Sequence, residues 1–204
     1  MYLPDIVSVI YYIACVIYFF YGLLILSYNA KSTMHWLFFC CCLDMSLWAL
    51  SFSIGNVATD YESALFWRRI ASVGWSSLFS YFLHYILLLT GNKLLKKKSI
   101  YILLYMPALL NIFLYGIYTN TVVQSYHLVQ TYFGWINISG NTLLDWYYNL
   151  YYVGYTVIGI VLLLYWGFTS KEIAKRKQSA IIGISYIVAV IFGTLTEYTI
   201  NYFL

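Results

Sequence analysis

Charge is the scarcest commodity in this chain. Only 9% of its 204 residues are charged, against roughly a quarter in an ordinary globular domain. So short a chain exposes too much surface for so few charges to solvate, which excludes water as the main solvent and soluble catalytic frameworks with it. The net charge of +4 comes from short lysine clusters and not from a broad basic face, so no nucleic-acid partner is expected. Cysteine is sparse too. Cys15 and the run Cys40, Cys41, Cys42 lie in apolar stretches without a CxxC pair, which suggests neither a disulfide framework nor a zinc site. Consecutive helical positions point about 100° apart, so that run cannot face one ion. The cysteines read as small packing residues, with reversible palmitoylation near a membrane boundary as the alternative. No metal and no cofactor is expected.

What the chain does have is apolar length: 63% hydrophobic residues, 22% aromatic, and a mean hydropathy of +0.76. A helix needs about 20 apolar residues to cross the hydrocarbon core. Six segments qualify, at 5–27, 34–55, 64–90, 99–118, 144–168 and 179–203, in one transmembrane domain over 1–204. These runs are about twice a barrel strand's length and lack steady alternation. The expected class is all-α, a polytopic membrane protein of six transmembrane helices. Lys31, Lys93, Lys96, Lys97, Lys98, Lys171, Lys175, Arg176 and Lys177 fall in or beside alternate connections, whereas Asp5, Asp60, Glu62 and Asp145 fall at the other side. The positive-inside rule then predicts a multi-pass cell-membrane protein with cytoplasmic basic loops and the N-terminus outside. The leader before the first span has no positive charge, so that span is not a cleaved signal peptide. The outer loop, 119–143, carries Gln124, His127, Gln130, Tyr132, Trp135, Asn137 and Asn141, a mixture suited to a packed cap or to a ligand surface.

Ionisable groups within spans are costly, so each is a functional candidate. Asp44 lies ten residues into the second span, about 15 Å along the helix and close to the midplane. It fits an interhelical hydrogen bond, or a sensing or proton-coupling role. Arg68 and Arg69 lie just inside the outer boundary of the third span, and Glu197 comes to a similar depth in the sixth. An Arg68–Glu197 pair is geometrically reasonable; Arg69 could lean toward Asp44, and snorkelling to lipid headgroups is the alternative for both arginines. His84 and His35 read as interfacial or interhelical hydrogen-bonding groups. Ser76, Ser77 and Ser80 form a polar strip on the third span, and Gly154, Gly159, Gly183 and Gly193 permit close backbone approach. Pro107 should kink the fourth span and free a carbonyl for a neighbour or a ligand. Tyr147, Tyr148, Tyr151, Tyr152 and Tyr155 descend along the fifth span, as packing with an interfacial belt or as an aromatic ligand cavity.

The strings LWALS at 47–51, ALFWRRI at 64–70, VGW at 73–75, His84-Tyr85 and LLTG at 88–91 together resemble the N-terminal seven-transmembrane region of bacterial sensor histidine kinases. FGW at 133–135, the tyrosine-rich fifth span, KRKQS at 175–179 and IFGTLTE at 191–197 follow in the same order. The resemblance implies a membrane input module that perceives a small-molecule or peptide ligand and passes its state to a cytoplasmic kinase or cyclase output domain, fused or separate, in a homodimer or a monomer. It implies a seventh helix as well, which this sequence lacks; the expectation is a fragment or a six-helix relative. No ATP-binding or phospho-acceptor motif is present, so no enzymatic activity is expected of these residues. The candidate site lies in the outer half, with Arg68, Arg69, Glu197, Asp44, Tyr148, Tyr152 and Trp135 as its polar and aromatic members. A small transporter or membrane-embedded substrate-binding subunit is the rival reading, although no internal repeat of the transporter kind is found.

Overall fold

The computed structural model of the chain describes residues 2–120, 124–138, 140 and 142–202, with side chains described as far as 188 and at 191. It is helical: α1 (Leu3–Tyr28), α2 (Thr33–Asn56), α3 (Tyr61–Leu89), α4 (Lys98–Asn111), α5 (Leu143–Thr169) and α6 (Ile173–Tyr202). A π-helical segment, Ile112–Tyr118, continues α4. Among the described residues, α1, α2, α3, α5 and the stretch Lys98–Tyr118 are long and apolar enough to cross a membrane. The chain is thus an all-α membrane protein. Among the described residues the one β element is a hairpin between α4 and α5, β1 (Leu128–Thr131) and β2 (Gly134–Asn137), paired antiparallel from Leu128 opposite Asn137 to Thr131 opposite Gly134.

Between helices in lipid there is no hydrophobic driving force, so close approach and hydrogen bonds hold the pairs together. The α1–α2 pair illustrates the rule. Ser8, Cys15 and Gly22 recur every seven residues on α1 and meet Ser53, Ser46 and Cys42 of α2. Ser8 Oγ donates to Ser53 O (2.5 Å), Ser53 Oγ returns to Ser8 O (2.9 Å), and Ser46 Oγ donates to Cys15 O (3.1 Å). A Cβ on Gly22 would come within 2.7 Å of Cys42 Cβ. Cys15 and Cys42 therefore serve as packing atoms. All four cysteines are free.

Helix α3 is the most buried of the described helices and contacts α2, α4 and α5. It begins at Asp60, whose carboxylate accepts from Ser63 N (2.8 Å) and is thereby held below the usual carboxylate range. The buried polar stripe facing α4 and α5 consists of Ser72, Ser76 and Ser80, one turn apart, whereas Ser77 turns its hydroxyl back to Val73 O (2.6 Å). Against α2 the contact is tighter still: a Cβ on Gly74 would lie 2.5 Å from Asp44 O and 3.0 Å from Trp48 N. On α5, Gly159 sits against the Phe82 ring of α3; Gly183 of α6 sits against Leu164, and Gly154 faces open space. The side chains beyond Ile191, at Gly193 and Glu197, lie outside the described residues.

Pro107 has a specific consequence. It has no N–H to bond Leu103 O, and that carbonyl instead accepts from the Tyr155 hydroxyl of α5. The next carbonyl, Leu104 O, accepts from Ser80 Oγ of α3 (2.5 Å), and Pro107 O accepts from Asn111 Nδ2 (3.0 Å) and Tyr147 OH (3.3 Å). A break in α4 is converted into three side-chain links to its neighbours.

Gly74→Ala places a methyl group against backbone that cannot rotate away. We expect it to destabilise the protein by about 1–3 kcal/mol, as overpacking does, visible as a lowered thermal midpoint in detergent. An unchanged midpoint would show that α2 and α3 can separate freely at Asp44.

Candidate functional site

The loop between α4 and α5 is a cap held by hydrogen bonds. Its hairpin lies over the ends of α1, α2 and α3. Trp135, buried at 8% exposure, donates Nε1–H to Ala58 O (2.8 Å) and packs its ring edge-on to Tyr61. Asn56, the last residue of α2, donates Nδ2–H to Phe133 O (2.9 Å) and to Pro4 O (3.3 Å), joining the hairpin, α2 and α1. The turn between the strands depends on Gly134. Its φ of +107° is open only to glycine, and any Cβ there would run into the Asn56 amide.

Arg68 occupies the centre of this arrangement. At 6% exposure it does not snorkel; an Nη2–H donates to Trp135 O, and the guanidinium carbon stands 3.7 Å from the centroid of the Phe52 ring. Tyr11 and Tyr126 flank the same charge. Tyr126 donates its hydroxyl to Arg68 O (3.0 Å), and burial pushes its phenol far up, so it remains a donor at any ordinary pH. The positive charge is met by a carbonyl dipole and a π face, the kind of desolvated cation–π contact that is worth most. Among the described residues the one ion pair is Lys175 with Glu172 (2.7 Å) at the opposite end. The proposed partner Glu197 falls on the last part of α6, where side chains lie outside the described residues.

Arg69, one position on, points elsewhere. Its Nε donates to Gly116 O (2.7 Å) at the π-helical end of α4, where i→i+5 bonding leaves carbonyls available, rather than reaching toward Asp44. Asp44 lies deeper, beside Ser77 of α3, and its Oδ2 has no partner among the described residues. The structure therefore gathers Arg68 and Trp135 into one constellation and leaves Arg69 and Asp44 in two others.

Tyr148 and Tyr152 belong to a chain of rings that begins at the cap. Tyr126 meets Tyr115 (5.4 Å between centroids), Tyr115 meets Trp75 (5.2 Å), and Trp75 meets Tyr148 (4.7 Å). Tyr148 stacks on Tyr152 (6.1 Å), which tilts against Phe79 (4.8 Å), and Phe79 meets Tyr151 (6.0 Å). Tyr151 is tied by its hydroxyl to Ser76 O (2.6 Å) and Ser80 Oγ (2.8 Å) of α3. At the top, Tyr115 donates to Asp145 Oδ1 (3.2 Å), whose other oxygen caps α5 through Thr142. The ring chain thus connects the cap to the mid-depth of α3 and α5 with contacts that are each worth about 0.5–1.5 kcal/mol beyond burial.

Sequence reasoning missed Asn56, Phe52, Tyr126 and the Tyr115–Asp145 pair. Asn56 stands one residue past the end assigned to the second span, and a polar residue there looks like an exposed boundary. Tyr126 is one tyrosine among twenty-four.

Residues 10–203 match the family described as the N-terminal 7TM region of histidine kinase. No curated protein and no solved structure matches the chain.

Loss of the Arg68 anchor should loosen the cap before the bundle. A hydrogen bond to a charged group is worth about 1.5–3 kcal/mol. Arg68→Ala is therefore expected to raise the exchange rates of protected amides in 128–137 by about one to two orders of magnitude, measured by hydrogen–deuterium exchange. Unchanged protection there would remove Arg68 as the anchor.

Proposed function

The chain belongs to the family of N-terminal 7TM regions of histidine kinases, and on that premise we propose that it is the membrane-embedded input module of a two-component signalling system. It perceives an extracellular or membrane-borne small molecule or peptide at the capped end. The change is relayed to a cytoplasmic kinase or cyclase output domain, fused or separate, with the basic loops on the cytoplasmic side and a homodimer as the signalling unit. The basic loops also bind anionic headgroups, at about 1 kcal/mol for each Lys or Arg near the surface.

The observation that carries this reading is the bond from the hairpin to Arg68, because Arg68 belongs to α3 and α3 contacts the helices around it. A ligand shifts a protein only through unequal affinity for two arrangements. A ligand that moved Trp135 would strain the Arg68 contact, the Ala58 contact and, through Tyr126 and Tyr115, the ring chain descending to Tyr152. Those links turn a displacement at the cap into a displacement of α3 against α5. Arg69, Asp44 and Glu197 complete the candidate set as residues that favour one arrangement over another.

Sensing and transport make opposite demands on the same molecule. In proteoliposomes the sensor leaves solute flux at the level of empty vesicles, and in nanodiscs its thermal midpoint rises by several degrees in fractions of culture medium that contain the signal. Trp135→Ala should abolish that rise. Saturable flux would favour a transporter. The orientation has its own test: in a cysteine-free background, Glu62→Cys should react with an impermeant maleimide on intact cells and Lys97→Cys only after permeabilisation. The reverse pattern would turn the protein over.

A further inference from the structure

The turn of the hairpin carries two aromatic side chains that the bundle leaves largely uncovered. Tyr132 is 78% exposed and Phe133 49%, and their rings meet edge to face at 6.0 Å. The turn that holds them is stiff. Thr131 Oγ1 accepts from Phe133 N (3.2 Å) and donates to Gly134 O (2.8 Å), and Gly134 takes the positive φ that closes the turn. Two rings held outward on such a turn keep their apolar surface in water unless something covers it. Asn56 fixes their level. Its Nδ2 donates to Phe133 O and to Pro4 O alike, so the turn stands beside the first turn of α1.

We propose that this turn inserts Tyr132 and Phe133 into the interfacial layer of the bilayer, so that lipid holds the cap on one side and the bundle on the other. Helix α1 supplies the depth. Its 26 residues make a rod of about 39 Å, against a hydrocarbon core of about 30 Å, so its first turn extends just past the core. Ile6, Ile10, Ile13 and Ile17 are exposed at helical spacing on α1, a stripe that meets lipid and ends within a turn of Pro4. The hairpin rings are therefore level with the upper end of a lipid-facing surface. Other exposed rings share that level: Tyr2 just before α1, Phe66 in the second turn of α3 and Trp146 in the first turn of α5. Aromatic side chains gather at membrane–water boundaries because the ring is apolar and its edge tolerates headgroups, and the hairpin adds its pair to this girdle. Apolar contact supplies the attraction. The charged groups that begin the helices at this end, Asp5, Asp60, Glu62 and Asp145, are acids, so anionic headgroups gain nothing there. The insertion is independent of the signalling proposed for the cap.

The test uses the full chain at one copy per phosphatidylcholine nanodisc, with para-trifluoromethylphenylalanine replacing Tyr132 as a fluorine probe. A lipid spin-labelled near its headgroup should relax that probe several-fold more than a water-soluble nickel chelate does. The same probe at the exposed Phe20 of α1 gives the lipid reference, and at the exposed Lys97 the aqueous one. Replacing half of the lipid by phosphatidylglycerol should leave the ratio at 132 unchanged. Tyr132→Ser should speed amide exchange over 131–134 about tenfold in nanodiscs, whereas Tyr132→Trp, which keeps an interfacial ring, should not. Stronger relaxation of the probe at 132 by the chelate than by the lipid overturns the proposal. So does shielding from both reagents, which would mark a protein surface as the cover. A lipid contact that appears only with phosphatidylglycerol overturns it too, by making charge the attraction.

Discussion

Lipid offers no hydrogen bonds, and most of this structure answers to that constraint. Five hydroxyls inside the bundle are directed at backbone carbonyls of neighbouring helices: Ser8 and Ser53 across the α1–α2 seam, Ser80 and Tyr151 between α3, α4 and α5, Tyr155 to the carbonyl freed by Pro107. Each such bond joins two helices at a fixed register. Because small residues adjoin them at Gly22, Gly74 and Gly159, the backbones come close enough for the bonds to form. Polarity in a core that would otherwise slide is what sets which helix meets which, and where.

The same constraint explains Arg68. A buried cation in a membrane-spanning helix must find compensation from the protein, and it does so from the Trp135 carbonyl and the Phe52 face. The hairpin is consequently not an independent loop. Its position is set by an arginine on the central helix, an asparagine at the end of α2 and its own indole N–H. The cap is thus tied to the helices by single polar contacts at Arg68, Asn56 and Ala58.

Asp44 is an exception. Its Oδ2 stays unpaired among the described residues, at the level where Gly74 brings α2 and α3 closest. An unsatisfied oxygen thus lies beside a close approach of two helices. Beside it the ring chain from Tyr126 to Tyr151 passes along the other face of α3. The two faces of α3 therefore differ in kind, one closely packed around an unpaired carboxyl and the other filled with interlocking rings.

Several features were legible from the residues alone. Long apolar runs separated by lysine clusters specify membrane-spanning helices, since hydrocarbon thickness and hydrogen bonding leave no other solution for such a chain. Pro107 announced a freed carbonyl, and the tyrosines of the fifth span announced hydroxyls in need of partners. Partners themselves were not legible. Arg68 and Trp135 are 67 positions apart and Asn56 and Phe133 77, and nothing local in the sequence couples them. The hairpin escaped notice because two four-residue strands carry too little periodicity to stand out in a polar, aromatic loop. One of the three members of the serine stripe differs, Ser72 standing in place of Ser77, because a helix's buried face is chosen by its neighbours. Solvent class follows from composition, to which every residue contributes independently. The site is decided by tertiary structure, because a buried charge or amide takes whatever acceptor the folded chain brings to it.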